Sequence, residues 1–331
     1  GYNFIVNAVG GRLDGQITND RQLNNDWNPI WELQTGRFEG GYIVEAAIPF
    51  KSLRYGPGQS QVWGFQVRRR NNWRNEYSFL NPVPSSVGSQ GWRPSLQATV
   101  VGLQVPPQSK KIELKPYATA SVSTDRTVRP AVVNDGNGDV GLDVKYGVTQ
   151  SLTADFTYNT DFAQVEADEQ QINLTRFNLS FPEKREFFLE NAGTFSFGGA
   201  TTAGNTSDQP VLFYSRQIGL SQNREVPIQV GARFTGRAGP FTIGLLDVRT
   251  DDEPVSKTRP TNFSVVRLRR DILGRSSVGA MFTGRSVAQS GVGSNQAYGV
   301  DGAFSFFTDF VINTYWARTQ TDNVKGDDKA L

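Results

Sequence analysis

Neither cysteine nor histidine occurs anywhere in the 331 residues, and there is a single methionine. Without cysteine there can be no disulfide framework and no thiolate metal site. Without histidine there is no Ser-His-Asp or Cys-His catalysis, and no zinc site that needs imidazole. An excess of charge of one sign is also lacking, with 34 Lys and Arg against 32 Asp and Glu. A nucleic-acid binder would carry a basic face or stripe, so nucleic acid is not an expected partner. No apolar run approaches the roughly 20 residues of a transmembrane helix. That exclusion does not reach membrane β-barrels, whose strands alternate and average out polar.

What the chain has in quantity is glycine (34), phenylalanine (22), tyrosine (10) and tryptophan (6). With few Ala-Glu-Leu-Lys blocks, this composition predicts an all-β protein. The chain opens at Gly1 inside what reads as a strand, with no leader ahead of it. It closes in a polar stretch, Asp322 to Lys329. Both ends therefore read as incomplete.

Residues 1–105 read as one unit. Gly41-Tyr-Ile-Val-Glu-Ala-Ala-Ile-Pro-Phe50 alternates with Tyr42, Val44 and Ala46 on one face, and Pro49 ends it because proline cannot donate to a ladder. Val62-Trp-Gly-Phe-Gln-Val-Arg68 and Leu96-Gln-Ala-Thr-Val-Val-Gly-Leu103 are further strands, with Gly-, Pro- and Asn-rich links between them. Short strands with such punctuation predict a β-sandwich. Residues 106–111, beginning just after Val105, form a linker in which Pro106-Pro107 is stiff and Lys110-Lys111 is solvated.

From Ile112 onward the period-2 pattern lengthens. Val140, Leu142, Val144 and Tyr146 alternate with Gly141, Asp143, Lys145 and Gly147. The same holds for Leu152 to Tyr158, Ile228 to Thr235, Ser277 to Thr283, Ala297 to Phe306 and Phe310 to Arg318. Several runs approach the roughly 9–11 residues of a tilted membrane strand. Tight turns (147–150, 237–240, 271–274, 307–309) alternate with long polar connections (122–138, 250–261, 286–295), the habit of a membrane barrel. Tyr146, Tyr158 and Trp316 near strand ends fit an aromatic girdle. Soluble sandwiches alternate too; the charges Asp143, Lys145, Asp155, Arg233 and Asp301 on the polar faces favour a wet lumen. Residues 112–331 thus read as an antiparallel outer-membrane-type β-barrel portion.

The stretch 159–199 breaks this pattern and is dense in acidic and aromatic residues. Three readings stay open. Asp161, Glu166 and Asp168 could hold a hard cation such as Ca²⁺ through carboxylate oxygens, although the Asp-x-Asp-x-Asp-Gly loop is absent. Glu166 or Asp168 with Glu183 or Glu186 could serve as acid and base in glycoside hydrolysis. Or the charges pair among themselves, as charge runs commonly do, in a plug or turn. Apart from that cation, no cofactor is implied. In the first unit, Trp73 and Trp92 in loop-like segments, with Arg70, Asn71 and Glu76, are candidate carbohydrate-binding residues, since aromatic rings stack on sugar faces and polar groups anchor hydroxyls. Trp63, in mid-strand, reads as a packing residue.

The runs Thr160-Asp-Phe-Ala-Gln-Val-Glu-Ala-Asp168, Asn173-Leu-Thr-Arg-Phe177, Phe181-Pro-Glu-Lys-Arg-Glu-Phe-Phe-Leu-Glu190 and Phe195-Ser-Phe-Gly198 closely resemble the signature of outer-membrane proteins carrying a domain of unknown function numbered 5916. The segment from Trp31 through Gly41-Tyr-Ile-Val-Glu-Ala-Ala-Ile-Pro-Phe50 to Arg54, with Val62 to Arg70, resembles the second half of a family 9 carbohydrate-binding module. The resemblance implies a partial carbohydrate-binding β-sandwich followed by a barrel in the outer membrane of a Gram-negative bacterium. The function it implies is polysaccharide or oligosaccharide binding or uptake, within carbohydrate catabolism, with outer-membrane lipid as surroundings. A membrane-associated glycoside hydrolase and a structural barrel docking other outer-membrane proteins are the alternatives.

Overall fold

In the computed structural model, the described residues are 1–18, 20, 22–25, 27, 29–53, 55–56, 58–85, 87, 91–106, 112–126, 132–149, 151–160, 183, 185–198, 210–221, 224–254, 256–273, 276–306, 310–322, 324 and 329–330. The protein is all-β and its paired strands are antiparallel. The chain divides into two compact units, 1–109 and 110–331.

The first unit contains β1 (Tyr2–Val6), β2 (Arg12–Thr18), β3 (Gln22–Asn24), β4 (Glu32–Phe38), β5 (Gly41–Ala47), β6 (Ser60–Phe65), β7 (Arg68–Asn71), β8 (Glu76–Phe79) and β9 (Ala98–Gln104). They form a three-stranded sheet, β1-β2-β3, and the pairs β4-β5, β6-β9 and β7-β8. Trp31, only 3% exposed, is an anchor. Its indole Nε1–H donates to Asp14 Oδ2 at 2.8 Å, and the Arg12 guanidinium lies 5.7 Å over its ring. A buried indole needs such a partner for its one donor. Trp63 packs with the rings of Phe50 and Tyr55.

The second unit contains β10 (Ile112–Asp125), β11 (Val132–Gly147), β12 (Leu152–Tyr158), β13 (Leu220–Ser221), β14 (Arg224–Glu225), β15 (Ile228–Ala238), β16 (Phe241–Thr250), β17 (Thr261–Ile272), β18 (Ser276–Arg285), β19 (Asn295–Phe306), β20 (Phe310–Thr321) and β21 (Lys329–Ala330). Apart from the small β13-β14 pair, all join one sheet in the order β10-β11-β12-β15-β16-β17-β18-β19-β20-β21. Neighbours in sequence are neighbours in space, except where the segment between β12 and β15 leaves the sheet and returns.

The two faces of this sheet differ sharply. On one face, cross-strand partners make a continuous apolar row: Ile112, Tyr146, Ala154, Phe234, Leu245, Val266, Phe282 and Tyr298. A second row runs Ile243, Leu268, Ala280, Val300 and Trp316. These side chains are half-buried to exposed, with Leu245 at 41%, Leu268 at 44% and Val300 at 53% exposure. The row on the far side of Leu245 turns polar at Asp247, Ser264, Gly284 and Gln296. The opposite face is covered. Phe187, Phe188, Phe195, Phe197 and Ile218 of the excursion pack there on Ile228, Leu246, Val248, Val265, Met281 and Ala317 of the strands. The core of the unit therefore lies between the sheet and its own inserted segment. Each fully buried phenylalanine contributes about 1.5–3 kcal/mol.

Three sequence expectations are corrected. The polar stretch 122–138 is not a long loop, because β10 and β11 pair through it as far as Asp125 and Val132. Ladder hydrogen bonds come from the backbone and continue under polar side chains. Ile228 does not share a face with Val230, because the register shifts between them and turns Ile228 into the core, as a bulge does. The charges Asp155 and Arg233 do not face a wet lumen; they are buried under the excursion. Among the described residues, no helix is long and apolar enough to cross a membrane.

Candidate functional site

The covered face of the sheet is built from small residues on the strands and large ones on the inserted segment. Gly231 on β15 leaves room for the Phe187 ring, Gly244 on β16 for Phe195, and Gly299 on β19 for Phe197. A Cβ at these positions would stand 3.1, 2.9 and 2.7 Å from the respective rings, closer than packed carbons approach. Phe187 sits in a one-turn helix, α1 (Glu186–Leu189), and Phe195 and Phe197 lie in and just after a short 3₁₀ turn.

Arginines lock this packing. Arg233 on β15 donates through Nε and Nη2 to Asp155 Oδ2 on β12 at 3.2 and 2.9 Å, and through Nη1 to the Glu190 carbonyl at 2.7 Å. Its guanidinium lies 5.3 Å from the Phe187 ring centre. Arg267 on β17 reaches across β18 to Asp301 on β19, with paired bonds of 2.6 and 2.8 Å. Gly279 on β18 leaves the space, since a Cβ there would meet Arg267 Nη1 at 2.7 Å. The Gly198 N–H donates to Asp301 Oδ2 at 3.1 Å, and Phe197 lies under the Arg267 guanidinium. The same device thus recurs twice: a guanidinium, a carboxylate on another strand and a phenylalanine of the inserted segment. Such pairs are strongest when planar, bidentate and withdrawn from water.

A third arginine ties the inserted segment to itself. Arg185 donates from Nε to Glu183 Oε1 at 2.9 Å and from Nη2 to Oε2 at 2.7 Å, and it also reaches the carbonyls of Ile218 and Ser215. Burial by itself would raise the Glu183 carboxyl pKa; the hydrogen bonds and charge of Arg185 outweigh it and hold the group below its ordinary value. Nearer solvent, Lys115 pairs with Glu186 and Lys145 with Glu190.

Asp161, Glu166 and Asp168 lie outside the described residues. Glu183 is bound to Arg185, and Glu186 is exposed and bound to Lys115, so these two carboxylates serve different partners. A cleft beside Glu186, lined also by Glu113, Lys115, Asp143, Lys145 and Glu190, holds about 40 Å³. That is space for a water, far below the roughly 300–1,000 Å³ of a ligand pocket. Among the described residues, no three Asp or Glu are grouped to hold a metal ion.

In the first unit, Arg70, Asn71, Trp73 and Glu76 come together at the tip of the β7-β8 hairpin. Asn71 pairs with Glu76, and the turn 72–75 closes by an Asn75 N–H to Asn72 carbonyl bond of 3.3 Å. Trp73 is 95% exposed. Trp92 does not join them. It adjoins Gly91, which closes on Phe79 at the other end of the hairpin.

Arg267, its bridge to Asp301, and the ring-seating Gly244 and Gly299 are residues of the covered face that the alternation did not single out. Glycine at inward positions of neighbouring strands is the signal that points to them. The comparisons with curated proteins and with solved structures found no match for this chain. Residues 108–236 match the model of the family described as Domain of unknown function (DUF5916), a span that takes in β10 to β12, the covering segment and most of β15.

Proposed function

We propose that the protein resides in the outer membrane of a Gram-negative bacterium, where the sheet of the second unit forms the wall of a β-barrel and the segment after β12 fills its interior. The first unit then acts as a polysaccharide-contacting domain, of the carbohydrate-binding-module type that its sequence resembles. The observation that carries this reading is the apolar face that the sheet leaves open on the side opposite its covered core. Its open face bears the apolar rows through Leu245 and Leu268, while its closed face already holds the phenylalanine core together with the buried ion pairs. A sheet in water turns its greasy face to the core; a membrane barrel turns it outward. Contiguous exposed apolar surface on this scale marks a membrane or protein contact. For the first unit, the exposed Trp73 among Asn71, Arg70 and Glu76 supports sugar contact.

The absence of cysteine makes the test direct. Single cysteines at Leu245, Leu268, Phe282 and Val300, labelled with an environment-sensitive dye in phospholipid vesicles, should report hydrocarbon. Labels at Asp247 and Ser264 should report the interface. If all six sites report water, the membrane assignment is wrong.

A further inference from the structure

The β7-β8 hairpin carries a charge pattern that a neutral sugar would not require. Its sequence, Arg68-Arg-Arg-Asn-Asn-Trp-Arg-Asn-Glu-Tyr77, has four arginines and one carboxylate. Arg69, Arg70 and Arg74 are exposed, and none of the three forms an ion pair among the described residues. Arg70 is held against the Tyr77 ring, 5.7 Å from its centre, and Arg68 lies 5.2 Å from the same ring. Stacked guanidinium planes keep their outward edge for an anion. At the tip, the Asn71 side-chain oxygen accepts from the Arg74 N–H at 3.4 Å, and Asn75 takes the left-handed conformation at φ 49°. This closed turn presents Trp73 at 95% exposure.

We propose that this hairpin binds an acidic glycan, one whose sugar residues carry carboxylate or sulfate groups. The proposal rests on the reading that the first unit meets polysaccharide, and it narrows the substrate class. Trp73 supplies the flat apolar surface for a sugar face, Asn71, Asn72 and Asn75 supply hydroxyl partners, and Arg69, Arg70 and Arg74 take the anionic groups in paired hydrogen bonds. An anionic lipid surface would also attract the arginines. A membrane-inserting tip, however, surrounds its tryptophan with further apolar residues, whereas here the neighbours are Asn72, Arg74 and Asn75.

The test uses the full chain with three probes: hexagalacturonate, maltohexaose as a neutral chain of equal length, and phosphatidylglycerol vesicles. The wild-type protein should bind hexagalacturonate at least tenfold more tightly than maltohexaose, and the affinity should fall with added salt as exposed charges are screened. Trp73→Ala and the triple change of Arg69, Arg70 and Arg74 to Gln should each lower that affinity tenfold or more at unchanged thermal stability, since these side chains are exposed. Glu76→Gln should raise it by removing a like charge. Equal affinity for both sugars, indifferent to the arginines, overturns the acidic specificity and leaves polysaccharide contact standing. Binding to neither sugar overturns both. Binding to vesicles alone overturns the glycan in favour of a membrane anchor.

Discussion

Replacing Leu268 by arginine distinguishes membrane from water at one position. Leu268 lies on β17 with Ile243 and Ala280 as its cross-strand partners, on the open apolar face between the row of Val266 and the row of Phe241, Arg270 and Val278. It is 44% exposed, so arginine fits without a clash. In water, such a surface change shifts stability by about 0.5 kcal/mol or less. At the midplane of a bilayer, the same change on the lipid face of a barrel costs about 2–4 kcal/mol. At about 1.36 kcal/mol per tenfold, that is a factor of about 30 to about 900 in the folding equilibrium. Ser264→Arg, on the same strand and face but in the polar row with Asp247 and Gly284, should cost about 0–1 kcal/mol, as at an interface. Reversible denaturant unfolding in phospholipid vesicles, followed by tryptophan fluorescence, measures both. Equal and small effects at the two positions would refute the reasoning, because they would mean that the apolar rows face water.

Asp301→Ala leaves Arg267 buried without its partner and should lower stability by about 3–5 kcal/mol, whereas Arg267→Met combined with Asp301→Leu should come close to wild type; thermal unfolding of the set checks this. Gly244→Val puts a branched side chain where even a Cβ would meet Thr194 Cγ2 at 2.8 Å and the Phe195 ring at 2.9 Å, so a loss of about 1–3 kcal/mol is expected. Gly136→Ala on β11, with nothing within 4 Å, should be nearly silent in the same assay. Glu183 has a folded pKa below its ordinary value of 4.5, so its ion pair contributes fully above about pH 4.5 and is lost as pH falls through the lowered folded value. Protease cleavage within the 183–221 segment should accelerate in that acid range, and Glu183→Gln should remove the pH dependence while raising cleavage at neutral pH.

The all-β class and the strands with strict alternation were legible in the sequence, because alternation is a direct record of two faces in different surroundings. Leu152 to Tyr158 shows this most clearly: Phe156 and Tyr158 stand open while Thr153, Asp155 and Thr157 are buried. The motif-dense stretch was recognisable as an interruption for the same reason. Glu183 and Glu186 looked alike in sequence, as acidic residues three apart. Only the fold separated them, because Arg185 claims one and Lys115, 71 residues before Glu186, claims the other.

β16 and β17 were hidden. Leu246, Val248 and Val265 make the inner face apolar wherever the inserted segment lays its phenylalanines against it, and two apolar faces erase the period. The bulge at Ile228 likewise turns a residue that the pattern sends outward into the core. Arg267 and Asp301 are far apart in sequence and meet only because Gly279, on the strand between them, lacks a side chain. The sequence alone determined which strands alternate and which chemistries are impossible without histidine and cysteine. The tertiary structure alone decided that the face holding the ion pairs and the phenylalanine core is the sealed one and the other apolar face the open one, because which side is covered depends on where a distant segment packs, and no local pattern records that.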